Sequence, residues 1–480
     1  MKTPTEYIES IGKMKYEVYM FGKRVTNVVD NPIIRPSLNC VAATYEAAQN
    51  PENGNIVTAI SHLTGKKINR FCHIHQNIED LVNKSKMGRM LGAYTGSCFQ
   101  RCVGTDAMNA LSIVTYDIDQ KYKTQYNIRF LNFLRHVQDE DLVCDGAMTD
   151  AKGDRGLRPA EQADPDQYLH VVEEKANGIV VRGAKLHQTG ALNAHEIIVM
   201  PTRAMREDDR DYAIAFALPS DTPGIIYIYG RQSCDTRKTE GGKIDAGNIS
   251  YGGHECMVVF DNVFVPWERV FMFKEYEFAG DLVEKFSSYH RQSYACKAGV
   301  GDVLIGATQL LSEYQGTDKS SHIRDKIIEM VHLNETIACC SLACAYEGHP
   351  EPSGTYYVNE LWANVAKLNV TRFPYELAKL AQEIAGGSLV TMPSEADFNN
   401  PKIGGYVSKY LTGVNGVPVE NRVRIIRLIE NLTLGTGAVS YLTESMHGAG
   451  SPQAQKIMIG RLANIERMKK RAKKVAGIDV

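Results

Sequence analysis

The sequence predicts an α+β chain of several domains, helical at both ends and β-rich in the middle. Three changes of texture carry that expectation. Residues 1 to about 135 place apolar side chains at helical spacing between short loops. Residues 138–275 break into short β-branched runs separated by Gly, Asp and Thr, the pattern of strands joined by turns. Residues 276–480 return to longer helical periods. With 480 residues there is room for two to four domains of roughly 150 residues, and the expected divisions are 1–137, 138–275 and 276–480.

In the first region, apolar residues from Ile78 to Leu91 recur three and four apart, which predicts an amphipathic helix; Pro32, Pro36 and Pro51 mark loops. In the second, GIVVRGAKL (178–186), EIIVM (196–200), DYAIAFAL (211–218), GIIYIYG (224–230) and CMVVFDNVFV (256–265) read as strands. Strands in close succession without long helices between them suggest an antiparallel barrel or sandwich. In the third, residues 324–346, 356–385, 422–445 and 452–476 read as four long helices of a bundle whose core is shared between helices or subunits. The last ends in Arg467, Lys469, Lys470, Arg471, Lys473 and Lys474, a solvated terminus that complements the helix dipole.

Hydrophobic residues make up 44% and charged residues 23%, a globular mixture that excludes a disordered or collagen-like chain. Against 56 acidic side chains stand 54 basic ones, a net charge of -2, so no global basic field draws nucleic acid or an anionic membrane. The N-terminus has neither the apolar core nor the cleavage site of a signal peptide. No stretch is read as approaching the ~20 apolar residues that span a bilayer. A cytoplasmic protein with reduced thiols is expected. Its 11 cysteines, an odd number, argue against a disulfide framework and leave metal ligands, reactive thiols or small core residues.

Nucleotide-binding motifs are missing. There is no G-x-x-x-x-G-K-[ST] run, and Gly299 to Gly306 lacks the Rossmann spacing. A dinucleotide must be held some other way. Cys98 and Cys102 are four apart; on a helix they would share a face, as chelating thiols or as two core residues. Residues 289–297 crowd His290, Arg291, Tyr294, Cys296 and Lys297 together. So many polar groups each need a partner if buried. His290 and Tyr294 would share a helical face, with Cys296 roughly 120° away. Cys98, Cys102, His290 and Cys296 together suit zinc, and equally an iron–sulfur cluster with one histidine. The polar loops 148–156 and 185–193 can bind a planar heterocycle or be plain turns. Arg231 and Arg237 offer guanidiniums for phosphates, or a solvated turn; Glu444 and His447 stand with Gly448 and Gly450 at a helix junction.

Taken together, these segments resemble the 4-hydroxybutyryl-CoA dehydratase family, relatives of the 4-hydroxyphenylacetate 3-monooxygenases. The likeness extends over nearly the whole chain, through YIES (7–10), VYMFG (18–22), IRPS (34–37), SCFQRCVG (97–104), DGAMTD (145–150), KGDRG (152–156), YGRQSCDTRK (229–238), HRQSY (290–294), TMPSEADF (391–398) and TESMHGAGSPQAQ (443–455). SCFQRC and HRQSY point to the dehydratase branch; the loop segments are shared with the monooxygenases.

The resemblance implies an acyl-CoA dehydrogenase-like fold with an N-terminal α-helical domain, a middle β-barrel domain and a C-terminal α-helical bundle. It implies a homotetramer with FAD at the subunit interface, near Thr149, Lys152, Asp154, Arg155, His187, Gln188, Thr189 and the turn Ala385, Gly386, Gly387. It implies a 4Fe-4S cluster on Cys98, Cys102, His290 and Cys296. One departure stands out: Ala295 alone separates Tyr294 from Cys296 where the family has two glycines, which in a continuous helix would turn Cys296 by about 100°. The implied activity is radical dehydration of the acyl-CoA substrate 4-hydroxybutyryl-CoA to crotonyl-CoA, with vinylacetyl-CoA isomerase activity. In it His290 serves as base, Tyr294 and Glu444 transfer the second proton, Glu255 and Lys297 order the site, and Gln100 supports the cluster. The alternatives are a flavin-dependent 4-hydroxyphenylacetate 3-monooxygenase-type hydroxylase, a cluster-altered acyl-CoA dehydratase or isomerase, and an inactive, zinc-stabilised scaffold.

Overall fold

The computed structural model describes residues 1–230 and 237–478. Strands in chain order are β1 (Glu17–Met20), β2 (Lys23–Val25), β3 (Thr58–Ile60), β4 (Lys67–Asn69), β5 (Cys144–Ala147), β6 (His170–Lys175) and β7 (Gly178–Thr189). They continue with β8 (Glu196–Val199), β9 (Ile214–Pro219), β10 (Ile225–Tyr229), β11 (Glu255–Pro266), β12 (Val270–Phe273), β13 (His349–Pro350) and β14 (Tyr356–Tyr357).

The middle of the chain is not the β-barrel that the acyl-CoA dehydrogenase-like expectation called for. It forms two open sheets, one of six strands in the order β2-β1-β10-β11-β7-β6 and one of four in the order β12-β9-β8-β5. Phe216 of β9 meets Phe260 of β11 edge to face, with ring centroids 6.2 Å apart, so the sheets pack as layers. Two features explain why no closure occurs among the described residues. The β1–β2 hairpin, supplied by the N-terminal segment, runs parallel to β10 and occupies the edge that a barrel would use. At the other edge, β6 ends in exposed Glu173, Glu174 and Lys175, charges that discourage further pairing.

The predicted helix at 78–91 extends over Ile78–Thr95. Asn77 caps its start and Gly96, at φ 58°, ends it. Three of the long C-terminal segments are interrupted. Residues 356–385 divide into β14 and the helices Glu360–Val370 and Phe373–Ala385, the second with proline in its first turn. Residues 422–445 divide into Val419–Thr433, a short turn over Thr436–Ala438, a π turn over Val439–Thr443, and Glu444–His447. Residues 452–476 divide into Pro452–Leu462 and Ile465–Val475, the latter capped by Asn464. Ser321–Tyr346 is long and apolar enough to cross a membrane, which the sequence reading passed over; here it packs against Ile78–Thr95, Cys296–Gln315 and Glu360–Val370.

Candidate functional site

The site begins where two helices touch through glycine. A Cβ on Gly92 would lie 2.2 Å from the Cys296 carbonyl oxygen, and one on Gly299 would lie 2.0 Å from that of Arg89. Only glycine permits this approach of Ile78–Thr95 to Cys296–Gln315, and it delivers Cys296 to the loop that leaves the first helix. That loop carries Cys98 ahead of the Cys102–Tyr122 helix, and Cys102 is the first helical residue. The two thiols therefore do not share a helix face. They are brought together by the loop, which turns at Gln100 with φ 52°. Gln100 is clamped there: its Oε1 accepts from Ser37 Oγ at 2.6 Å and from Asn193 Nδ2 at 3.1 Å, and its Nε2 donates to the His254 carbonyl at 3.1 Å.

Cys98 and Cys296 are buried and Cys102 is partly buried; no disulfide joins them. Burial pushes all three thiols up, Cys296 to about 11, and their mutual proximity raises Cys98 and Cys102 further. Cys98 Sγ lies 3.5 Å from Glu444 Oε1. Lys297, fully buried, donates to Glu444 Oε2 at 3.0 Å and to the Ser440 carbonyl, inside the π turn, at 2.5 Å. Burial pulls its ammonium down, but Glu444, Cys296 and Cys98 outweigh burial and raise it overall. Tyr294 donates to the Glu444 carbonyl at 3.3 Å. Lys367 stands 4.5 Å from the Tyr294 ring centroid and donates to the Ser445 carbonyl at 2.6 Å. Glu255 accepts from Thr189 Oγ1 at 2.7 Å; burial, then Glu444, push its carboxyl well above the usual range.

His290 is fixed through Nδ1, 2.8 Å from Asp106 Oδ2. Donor atoms of Cys102, Asp106 and His290 lie within 4.8 Å of one another, and Cys98 and Cys296 do not join that tight triad. Asp106 and its partner Lys84 were missed by sequence reasoning. The available signal was spacing, since Asp106 is one helical turn beyond Cys102.

The two polar loops are tied together by the Leu186 N–H, which donates to the Thr149 carbonyl at 2.7 Å. Lys152 and His187 both have left-handed backbones, at φ 74° and 58°. Burial, then Lys152, His447 and Arg155, lower the His187 imidazole, so these cationic groups share one region. Asp154 is spent within its loop on the Gly156 N–H, at 2.8 Å, and Gln188 on the Leu186 carbonyl, at 2.7 Å. Gly386 and Gly387 are exposed at the end of their helix and Ala385 is buried beside them. Among the described residues no hydrogen bond or ion pair links them to either loop. Arg237 pairs with Glu430 at 2.5 Å rather than lying open for phosphate; Arg231 and Cys234 lie outside the described residues. Of the remaining cysteines, Cys339 is exposed, because its helix turns that face outward.

Family models for the N-terminal and C-terminal parts of 4-hydroxyphenylacetate 3-hydroxylase match residues 3–272 and 279–477. The 4-hydroxybutyryl-CoA dehydratase/vinylacetyl-CoA-Δ-isomerase of Clostridium aminobutyricum is 56% identical over the full length of both chains. The 4-hydroxyphenylacetate 3-monooxygenase oxygenase component of Thermus thermophilus is 26% identical, over 92% of this chain and 91% of its own. A structure of an oxygen-tolerant archaeal 4-hydroxybutyryl-CoA dehydratase from N. maritimus superimposes with TM-score 0.98 at 54% identity, covering 100% of this chain and 95% of its own. The FAD complex of the oxygenase component HpaB superimposes with TM-score 0.86 at 24% identity, covering 99% and 98%. The chain thus belongs to the 4-hydroxyphenylacetate 3-hydroxylase family, in its 4-hydroxybutyryl-CoA dehydratase/vinylacetyl-CoA isomerase branch. Its fold is that of HpaB, which replaces the acyl-CoA dehydrogenase-like label: glutaryl-coenzyme A dehydrogenase reaches only TM-score 0.48, too low to support it.

Proposed function

We propose that this enzyme dehydrates 4-hydroxybutyryl-CoA to crotonyl-CoA and isomerises vinylacetyl-CoA, as a homotetramer with FAD and a 4Fe-4S cluster. The observation that carries the reading is the grouping of Cys98, Cys102 and Cys296 about the buried Lys297–Glu444 pair, with His290 beside Cys102. The donor set fits a cluster: three thiols outside any disulfide, two buried and one partly buried, and an imidazole whose Nε2 has no partner among the described residues. Thiolates need compensating charge, and Lys297 supplies it. The loops at 149–155 and 187–189 fit a flavin, with cationic groups for an anionic cofactor and backbones bent at Lys152 and His187; the 385–387 turn would serve a neighbouring subunit. When bound, the flavin would exchange a single electron with the substrate and the cluster would act as Lewis acid at the leaving hydroxyl.

The protein's own groups hold and move protons. With Nδ1 engaged by Asp106, His290 Nε2 would accept the C2 proton after leaving the cluster. Glu444, held by Lys297, and the Tyr294 hydroxyl stand together to transfer the second proton. Glu255 and Lys297 order the pocket, and Gln100 holds the loop between two of the thiols. Burial of these groups excludes water. The three-part division at 137 and 275 belongs to the same proposal. A hydroxylase acting on phenols would leave the three thiols without a task.

The test is anaerobic purification. The protein is expected to carry flavin, iron and acid-labile sulfide and to lose dehydratase activity in His290→Ala. Full activity in that variant would remove the base assignment. Flavin without iron or sulfide would remove the cluster, and oxygen-dependent hydroxylation of 4-hydroxyphenylacetate would favour the hydroxylase.

A further inference from the structure

Asp106 is fully buried and has more partners than a structural carboxylate needs. Its Oδ2 is 2.8 Å from His290 Nδ1 and accepts from Ser293 Oγ at 2.8 Å, and its Oδ1 is 2.6 Å from Lys84 Nζ. Lys84, also buried, donates to the Tyr289 carbonyl at 2.8 Å. Three helices, Ile78–Thr95, Cys102–Tyr122 and Ala279–Ser293, are thereby joined at one carboxylate. A buried ion pair is a poor source of stability compared with apolar packing of the same volume, so its retention calls for another reason. His290 supplies one. Its ring is stacked on Phe286 (centroids 5.5 Å apart, planes at 15°) and meets Tyr294 edge-on at 5.4 Å. The plane is therefore held by packing, and what packing cannot decide is which nitrogen carries the proton.

We propose that Asp106 is the positioning residue for His290: it holds the imidazole as the Nδ1–H tautomer and so reserves Nε2 for the cluster and for proton transfer. Lys84 and Ser293 hold Asp106 in turn. Cys102 and Asp106 lie one turn apart on the same helix, so one rigid element places a thiol and orients the imidazole beside it. This is the role carboxylates play behind histidine ligands in metal sites, where their loss costs about 10–100-fold in affinity or activity. The tautomer claim concerns the protein alone; the claim about the cluster rests on the proposed function.

The experiment has two arms, each run on the full chain. In the first, metal-free protein labelled with 15N-histidine is observed by NMR, with the His290 signal identified by its loss in His290→Gln. The wild type should show the Nδ1–H tautomer, and Asp106→Ala should shift it towards an exchanging mixture. An unchanged signal would overturn the inference. Because Asp106→Ala strands a buried ammonium, the double variant Asp106→Asn/Lys84→Met, which removes both charges, is measured beside it. If both variants unfold, the single Lys84→Met with intact Asp106 is read instead. It should keep the Nδ1–H tautomer, and loss of that tautomer would assign the orientation to Lys84 and overturn the inference. In the second arm the cluster is rebuilt anaerobically. Asp106→Ala should bind iron and sulfide about tenfold or more weakly, with altered nitrogen hyperfine coupling. Equal loading with unchanged coupling would overturn the cluster half. If the wild type itself takes up no cluster, the proposed function fails, and the first arm still decides the tautomer.

Discussion

Replacing Gly92 by alanine tests whether the contact between two helices sets the geometry of the site. The added Cβ would sit 2.2 Å from the Cys296 carbonyl oxygen and 3.1 Å from its carbon. Restoring an ordinary contact of 3.4 Å to that oxygen would part the backbones by about 1.2 Å. Both partners are helix backbone, so no side chain can swing aside. Alanine gains about 1 kcal/mol in helix propensity, while overpacking costs about 1–3 kcal/mol and sometimes more, so a net loss of about 0–2 kcal/mol is expected. The effect on activity should be larger, because displacing a reacting group by about 1 Å can cost about a hundredfold. Gly88→Ala is the matched comparison. Its Cβ would stand 3.4 Å from the Cys296 N and 3.7 Å from Ala295 Cβ, distances that need little movement, so it should keep activity and lose no stability. Urea midpoints and anaerobic dehydratase turnover are measured for both. Wild-type activity and stability in Gly92→Ala, or equal damage in Gly88→Ala, would refute the reasoning.

Two further perturbations follow from the same structure. His254 and His195 are buried and each accepts a backbone N–H, from Leu192 at 3.1 Å and Val143 at 3.0 Å, so each must be neutral. Burial lowers both to about 3. The unfolded chain takes up these protons near pH 6.5 and the folded one only near pH 3, so stability falls with pH across that window. The expected loss is about 3 kcal/mol per histidine between pH 7.5 and 4.5, and urea midpoints that do not move would exclude it. Lys297→Met leaves the Glu444 carboxylate without its buried ammonium, which should abolish dehydratase activity and cost about 3–5 kcal/mol, the Glu444 side chain being only 14% exposed. Adding Glu444→Gln should recover stability but not activity; thermal melts that show no recovery would refute the pairing.

Much of the fold was legible where one face of an element is repeated along the chain. The helix at 78–91 and the strands at 178–186 and 256–265 follow directly from that periodicity. What periodicity cannot show is where a helix stops. Residues 356–385 carry one apolar rhythm, yet Asn359 caps a new helix and Pro374 opens another; both punctuation marks were present and outweighed by the apolar run. The sheet closure was illegible for another reason. Nothing local in Glu17–Met20 says that this strand will pair with Ile225–Tyr229, more than two hundred residues away. The site divides in the same way. Cys98, Cys102, His290, Tyr294 and Lys297 draw attention by their chemistry. Gln100 works through Ser37, Asn193 and His254, and such long-range partners leave no pattern in a single sequence.

The spacing of Cys296 is where the local sequence and the three-dimensional site must be reconciled. In a continuous α-helix the residue missing between Tyr294 and Cys296 would leave the thiol about 100° short. The helix is not continuous: Ala279–Ser293 ends and Cys296–Gln315 begins, with Tyr294 and Ala295 between. Across this junction the N–H groups of Tyr294, Ala295, Lys297 and Ala298 bond three residues back, to Arg291, Gln292, Tyr294 and Ala295. A turn closed in that way advances about 120° per residue instead of about 100°. The four bonds add rotation in the sense that the absent residue would have supplied. The tightened turn thus works against the missing residue, and the close approach of Gly92 fixes the depth of the Cys296 backbone. His290 lies before the junction, inside the regular helix Ala279–Ser293, while Lys297 takes part in the tightened turn. Counting residues along one unbroken helix misplaces the thiol, because the hydrogen-bond pattern changes at this junction.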